Sequence, residues 1–153
     1  MSKALRGQRA LAGIVALGLA LPFAVAAQQT PPGLGQAWPN AKDVSQNRAW
    51  HVYVFQLHGI KYIEVADLTG RIVSTIGTAN HQYIALPMGA FPQYVSIPDQ
   101  AATLPQGVVA MTSPTTVYQD NDTTITVTHT SDAGIATAAA CGNPVECNTN
   151  ITK

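Results

Sequence analysis

Two runs of β-branched and aromatic residues, separated only by His58 and Gly59, constrain the fold of this chain most strongly. A two-residue connection with a glycine is typical of a tight hairpin, because glycine can adopt the positive φ that the turn needs. The turn length then sets the pairing of the strands. The predicted cross-strand neighbours are Leu57 with Ile60, Phe55 with Tyr62, Tyr53 with Glu64, Val54 with Ile63 and Val52 with Val65. Both faces of the hairpin are largely apolar, so each needs cover from another layer or from a partner.

Turn residues at regular spacing extend this pattern along the chain. The sequence Asp67-Leu68-Thr69-Gly70 suits a type I turn followed by a left-handed glycine, which makes residues 50–86 a four-strand meander. A second hairpin follows around the polar turn at residues 120–122. The strands predicted beyond the first hairpin lie at residues 71–76, 82–86, 93–97, 115–119 and 123–129, with a weaker candidate at 107–112. We therefore predict an all-β fold, a small antiparallel sandwich or open barrel of about seven strands.

The first 27 residues have the three regions of a secretory signal peptide. A basic start without acidic residues leads into an apolar run at residues 10–25, and small residues then allow cleavage after Ala26 or Ala27. The run has 16 residues, fewer than the roughly 20 that a spanning helix needs, so we predict no stable membrane insertion after cleavage. The expected location is the periplasm or the extracellular space, and the alanine-rich signal is typical of bacteria.

The rest of the chain is predicted to hold one domain with a flexible segment at each end. Prolines and glycines among polar residues make 28–37 a flexible leader, and the β domain spans 38–130. Residues 131–153 are mostly small and polar, which predicts a loosely ordered tail. Within this tail, Cys141 and Cys147 are expected to form a disulfide, because export supplies an oxidising environment and the link between them is turn-prone.

Charge and motif content narrow the functional classes. Three of the eight basic residues lie in the signal peptide, so the exported part has five basic and eight acidic residues, a net charge of −3. This sparse acidic charge disfavours nucleic-acid binding. The four histidines lack the spacing of metal ligands, residues 120–122 lack the glycine and glutamate of a calcium loop, and the sequence has no serine-nucleophile motif. The sequence therefore predicts no metal, no cofactor and no catalytic residue.

The aromatic side of the first hairpin, formed by Tyr53, Phe55 and Tyr62, is the candidate partner-binding face, because aromatic rings with polar tips are enriched at interfaces. The alternative is that these rings pack as ordinary core. The expected function is an exported, non-enzymatic binding or envelope-associated module, with an unknown protein or small molecule as partner. The alternative function is a small secreted hydrolase with a site assembled from distant residues, which a pocket holding a histidine or Glu64 with a shifted pKa would favour.

Overall fold

The computed structural model of the protein describes residues 32–142. This part of the chain contains eight strands, which form two four-stranded sheets. The strands of the first sheet are β1 (Trp50–Leu57), β2 (Ile60–Asp67), β3 (Ile72–Ala79) and β4 (Gln82–Ala85). Those of the second sheet are β5 (Val95–Ser96), β6 (Thr115–Gln119), β7 (Thr123–His129) and β8 (Ile135–Cys141). The all-β prediction is confirmed, while the predicted signal peptide at residues 1–27 lies outside the described residues.

The first sheet has the order β1-β2-β3-β4, with antiparallel neighbours throughout. The register predicted from the first turn is confirmed, since all five predicted cross-strand pairs of β1 and β2 occur. His58 and Gly59 have φ of 50° and 80°, as a primed two-residue turn requires. The next hairpin differs from the prediction, because Asn80 and His81 also adopt positive φ and allow β3 to continue to Ala79. Asparagine and histidine are among the non-glycine residues enriched in this conformation.

The second sheet has the order β5-β8-β7-β6, with β5 and β8 parallel and the other pairs antiparallel. Its strand β8 corrects the predicted tail, because residues 135–141 pair with β7 along their whole length. Ile135, Thr137 and Ala139 are buried in alternation. The hydroxyl of Ser74 on β3 donates a hydrogen bond of 2.9 Å to that of Thr137, a buried contact between the sheets that requires small side chains. The sequence did not predict this strand, because it consists mainly of alanine and threonine, whose small side chains form no pattern of large apolar residues.

The larger apolar core lies between the two sheets. Residues of β1, β2 and β3 enter it from one side, and residues of β6, β7 and β8 enter it from the other. Its buried members include Val52, Ile63, Val65, Val73, Ile76, Val117, Ile125, Val127 and Ile135. Burying each such side chain contributes roughly 1.5–3 kcal/mol relative to leaving it exposed, so this layer is the main source of stability.

The segment between β4 and β6 contains less sheet than the sequence predicts. The strand expected at residues 93–97 is shortened to β5, because a 3-10 turn occupies Pro92–Tyr94. The weaker candidate at 107–112 contributes an isolated bridge between Ala110 and Thr130. β4 forms an edge of the first sheet and β5 an edge of the second, and both strands are short. Short edge strands limit pairing with other chains.

The outer face of the first sheet is covered by residues 33–41, which we call the N-terminal cover. Leu34 of this segment is buried in a second apolar cluster with Tyr53 and Phe55. The partly buried residues packed against the cluster are Ala41, Tyr62 and Met88. The first hairpin is therefore covered on both faces, as its apolar pattern requires.

Residues 33–37 of the predicted leader, 28–37, form part of the N-terminal cover. Gly33 and Gly35 have φ of 96° and 83°, and the backbone N–H of Gln36 donates a hydrogen bond of 3.1 Å to the carbonyl of Gly33. This turn folds the chain back far enough to place Leu34 against the sheet. The composition rich in glycine and proline suggested flexibility, whereas burial of one apolar side chain holds this part of the chain in place.

Candidate functional site

The predicted partner-binding face lies beneath the N-terminal cover. Tyr53, Phe55 and Tyr62 share one face of the first sheet, as the hairpin register predicts. Only 5% of Tyr53 and 7% of Phe55 is exposed, and Tyr62 is half-buried. The open aromatic surface that partner binding would need is therefore occupied in this structure by the chain itself, because packing these rings against Leu34 removes apolar area from water.

Glu64 lies on the same face and is fully buried. Its Oε2 atom accepts a hydrogen bond of 2.8 Å from the backbone N–H of Gly35 in the cover, whereas its Oε1 atom has no hydrogen-bond partner among the described residues. The hydroxyl of Thr75, opposite Glu64 on β3, is likewise buried without a partner in this range. Burial raises the pKa of Glu64, and the hydrogen bond from Gly35 offsets part of that rise.

A polar cavity of about 320 Å³, which we call the end cavity, opens at one end of the sandwich. The turns between β1 and β2, between β3 and β4 and between β6 and β7 surround it. Its lining residues are Gln56, Gly59, Lys61, Thr78, Ala79, Asn80, His81 and Asp122. Their amide, hydroxyl, ammonium, imidazole and carboxylate groups offer both hydrogen-bond donors and acceptors to a polar ligand.

Lys61, which lines the end cavity, forms an ion pair with Asp120. The Nζ atom of Lys61 lies 2.6 Å from Asp120 Oδ2 and 3.9 Å from Asp122 Oδ2, and only 15% of the Lys61 side chain is exposed. Asp120 also accepts hydrogen bonds from the Tyr118 hydroxyl at 2.6 Å and from the backbone N–H groups of Asp122 and Thr123. Burial alone would raise the pKa of Asp120, but the hydrogen bonds from Lys61, Tyr118 and the backbone hold it below its usual value. The network joins the first sheet to the second.

A second cavity, of about 430 Å³, contains an aspartate–histidine pair beside the edge strand β1. Asp43 Oδ2 lies 2.7 Å from His51 Nδ1, while Asp43 Oδ1 accepts hydrogen bonds from the backbone N–H groups of Ser45 and Val52. Burial opposes ionisation of Asp43, but the hydrogen bonds outweigh it and lower its pKa. The Trp38 ring meets the His51 ring edge to face at 5.2 Å. A histidine held through Nδ1 in this way can act as a general base through its other nitrogen.

The serine nearest this pair is not aligned as a nucleophile. Ser45 lines the second cavity, but its hydroxyl donates a hydrogen bond of 2.9 Å to the backbone carbonyl of Asn47, which holds it in a local turn. Hydrolysis at this site would therefore use a water molecule activated by His51. No local pattern in the sequence indicates the pair, because Asp43 and His51 are eight residues apart and are brought together by the pairing of Asp43 with Val52 and Tyr53.

Cys141 lines neither cavity. Cys141 ends β8 and is half-buried, whereas Cys147 lies outside the described residues, so the disulfide stays a prediction. Within residues 32–142, no cluster of three or more His, Cys, Asp or Glu side chains could hold a metal ion. No helix in the same range is long and apolar enough to cross a membrane.

The end cavity and the Asp43–His51 pair are thus the two candidate sites. Lys61 and Asp120 are 59 positions apart, and no local pattern links them. Backbone hydrogen bonds hold Asp43 and Asp120 in place, and the ion pair holds Lys61. No protein-family model, curated protein or solved structure matches this chain.

Proposed function

We propose that the protein is an exported, non-enzymatic binding module whose end cavity takes a small hydroxyl-rich ligand, such as a mono- or disaccharide. The observation that carries this proposal is the polar lining of the cavity, held in place by the Lys61–Asp120 ion pair. The volume of about 320 Å³ is at the lower end of the range for small-molecule sites, which suits one or two sugar rings.

The chemistry of the lining favours a neutral polar ligand over an anion or an apolar molecule. Lys61 is neutralised by Asp120 and lies near Asp122, which disfavours binding of an anion. The amides of Gln56 and Asn80 each contribute donors and an acceptor, and a ligand hydroxyl group likewise both donates and accepts. A site built in this way rejects analogues without the hydroxyl groups, because its own polar groups would be left unpaired.

Export, predicted from the first 27 residues, supports this choice of ligand. An exported protein of a bacterium meets the polysaccharides of the cell envelope and of its surroundings. A small domain with a rigid polar cavity and little net charge is suited to holding such a ligand without steering by charge.

Titration with mono- and disaccharides, including N-acetylated amino sugars, is expected to shift the backbone NMR signals of residues around the end cavity. Replacing Gln56 by alanine should weaken binding about tenfold, because it removes hydrogen bonds that together contribute about 1.4 kcal/mol. Gln106→Ala, at an exposed glutamine outside the cavity, is the matched control and should bind as the wild type does. The proposal fails if no sugar shifts these signals, or if Gln56→Ala binds unchanged.

The Asp43–His51 pair is the observation that favours the alternative function, a small secreted hydrolase. In that function His51 would take a proton from the attacking water, and the Asp43 carboxylate would stabilise the resulting imidazolium. We prefer the binding function because amide, hydroxyl and carboxylate groups line the end cavity, whereas the pair presents only the base and its orienting group.

A panel of chromogenic esters and glycosides distinguishes the two functions. If the protein is a hydrolase of this kind, His51→Gln should reduce turnover about 100-fold, which is the lower end of the contribution from general-base catalysis. His129→Gln, at an exposed histidine of the second sheet, should keep wild-type turnover. Absence of turnover in the wild type, or equal turnover in His51→Gln, would exclude the hydrolase.

A further inference from the structure

We propose that the N-terminal cover is a pH-sensitive closure, which docks on the aromatic face while Glu64 is protonated and releases when Glu64 ionises. Release would expose Tyr53 and Phe55, the rings that the cover keeps from solvent. This inference is independent of the end cavity, because no residue of the cover or its cluster lines that cavity.

The first argument is the incomplete solvation of Glu64 beneath the cover. A buried carboxylate is stabilised by two or three hydrogen-bond donors, but Glu64 receives one, from the backbone N–H of Gly35 at 2.8 Å. Its Oε1 atom has no partner within the described range, and neither has the neighbouring Thr75 hydroxyl. Ionisation would place a negative charge in an apolar setting with a single donor, so the closed state favours the neutral acid.

The second argument is that the cover is the part able to move. Glu64 belongs to β2, a strand paired on both sides, opposite Tyr53 of β1 and Thr75 of β3. Water could reach Glu64 through the sheet only if these ladders opened. Lifting the cover breaks the Gly35 hydrogen bond, the packing of Leu34 and Ala41, and the ring contact between Trp38 and His51, but it breaks no strand pairing. Local opening should therefore occur there first.

The third argument concerns the other titratable groups around the closed interface. Residues 33–41 carry no ionisable side chain, so the cover brings no countercharge to Glu64. From β1 the facing titratable group is Tyr53, whose pKa is raised by burial and by the carboxylates of Asp43 and Glu64. From β3 the facing side chain is Thr75, which does not titrate. His51 of β1 also contacts the cover, through the Trp38 ring, but it is paired with Asp43. Glu64 is the group that closure buries with a single hydrogen-bond donor, and the Glu64→Gln variant separates its effect from that of His51.

The direction of the pH effect follows from linkage. Closure raises the pKa of Glu64 from its usual 4.5, so the closed state binds the proton more tightly than an open state does. The stabilisation of the closed state is therefore fully present below 4.5 and is lost as the pH rises through the raised pKa. Acid closes the cover, and a rising pH opens it.

Hydrogen exchange of the Gly35 amide, in the protein purified from an exporting host, tests this proposal. After correction for the intrinsic pH dependence of exchange, protection of Gly35 should fall at least tenfold between acid and neutral pH. The amide of Val65, in the centre of β2, should keep its protection over the same range. In Glu64→Gln the carboxyl is replaced by a neutral isostere, so Gly35 should stay protected at every pH.

Tyr53→Phe is the control variant, since it removes the other titratable group and should leave the pH dependence of Gly35 in place. Titration of the Glu64 carboxyl carbon signal in the wild type gives a second measurement that needs no variant. It should follow the loss of Gly35 protection. Constant Gly35 protection in the wild type across this range, or an unchanged pH dependence in Glu64→Gln, would overturn the proposal.

Discussion

Replacing Asp120 by alanine should lower the free energy of unfolding by about 3 kcal/mol. The substitution leaves the Lys61 ammonium, of which 15% is exposed, without the carboxylate that lies 2.6 Å away. It also removes the acceptor of the Tyr118 hydroxyl. Deleting one partner of such a pair costs more than the pair contributes, because the Lys61 charge stays behind with only the more distant carboxylate of Asp122, 3.9 Å away. Urea denaturation at neutral pH measures this change.

Asp122→Ala is the matched control for this prediction. Its side chain is 59% exposed and lies 3.9 Å from Lys61, so its loss should cost less than about 0.5 kcal/mol. The difference in unfolding free energy between Asp120→Ala and Asp122→Ala should also depend on pH. Because the pKa of Asp120 is held below its usual 3.8, its stabilising effect is present above that value and is lost as the pH falls through the lowered pKa. Equal, small effects of both variants would contradict a structural role for the ion pair.

Replacing Gly89 by alanine should destabilise the protein by about 4 kcal/mol, through two costs that add. Gly89 has a φ of 102°, which an alanine adopts only under strain, and a Cβ atom there would lie 2.5 Å from the carbonyl oxygen of Val73. The chain cannot withdraw easily, because the N–H of Phe91 donates a hydrogen bond of 3.2 Å to that same carbonyl. Chemical denaturation should therefore show a large fall in the unfolding midpoint.

Gly59→Ala separates the two costs at Gly89. Gly59 has a φ of 80°, but a Cβ atom there would meet nothing within 4 Å, so only the backbone cost of about 1 kcal/mol applies. The variants should thus differ by about 3 kcal/mol, the share due to overlap with Val73 and its accommodation. Equal losses of unfolding free energy in Gly89→Ala and Gly59→Ala would contradict this prediction. They would show that the segment after β4 can move away from Val73 at little cost.

The first hairpin shows what local sequence decides. A two-residue turn leaves the strands one register, and the alternating side chains then follow from the pleat, so Phe55 opposite Tyr62 could be predicted without knowledge of other strands. The polar turn at residues 120–122 likewise allowed the hairpin of β6 and β7 to be predicted. It missed the turn at Asn80 and His81, because residues other than glycine only sometimes adopt positive φ and nothing in the sequence shows when they do.

Strand β8 and the N-terminal cover show where composition misleads. Alanine and threonine in residues 135–141 give a weak strand signal, yet a paired neighbour and the space beside Ser74 make a strand of them. Leu34 is a single apolar residue among glycines and prolines, and its burial depends on a face formed by Tyr53 and Phe55. In both places the deciding partner lies elsewhere in the chain.

The candidate sites were beyond prediction for the same reason. The sequence pointed to Tyr53, Phe55 and Tyr62 as a binding face, but whether that face is open depends on where residues 33–41 pack. Glu64 stood out as a carboxylate inside a strand, while its complete burial comes from the cover. The ion pair of Lys61 with Asp120 joins two sheets whose relative placement no local pattern encodes.

By itself, the sequence determined the all-β class, the first hairpin and its register, because turn length and side-chain alternation act over a few neighbouring residues. Only the tertiary structure decided which faces are covered, which carboxylates are paired and where the cavities lie. These features depend on contacts between residues far apart in the chain, such as positions 35 and 64 or 61 and 120. Such contacts form only when the packed core brings the two sheets and the cover together, since the apolar layer fixes their separation and orientation.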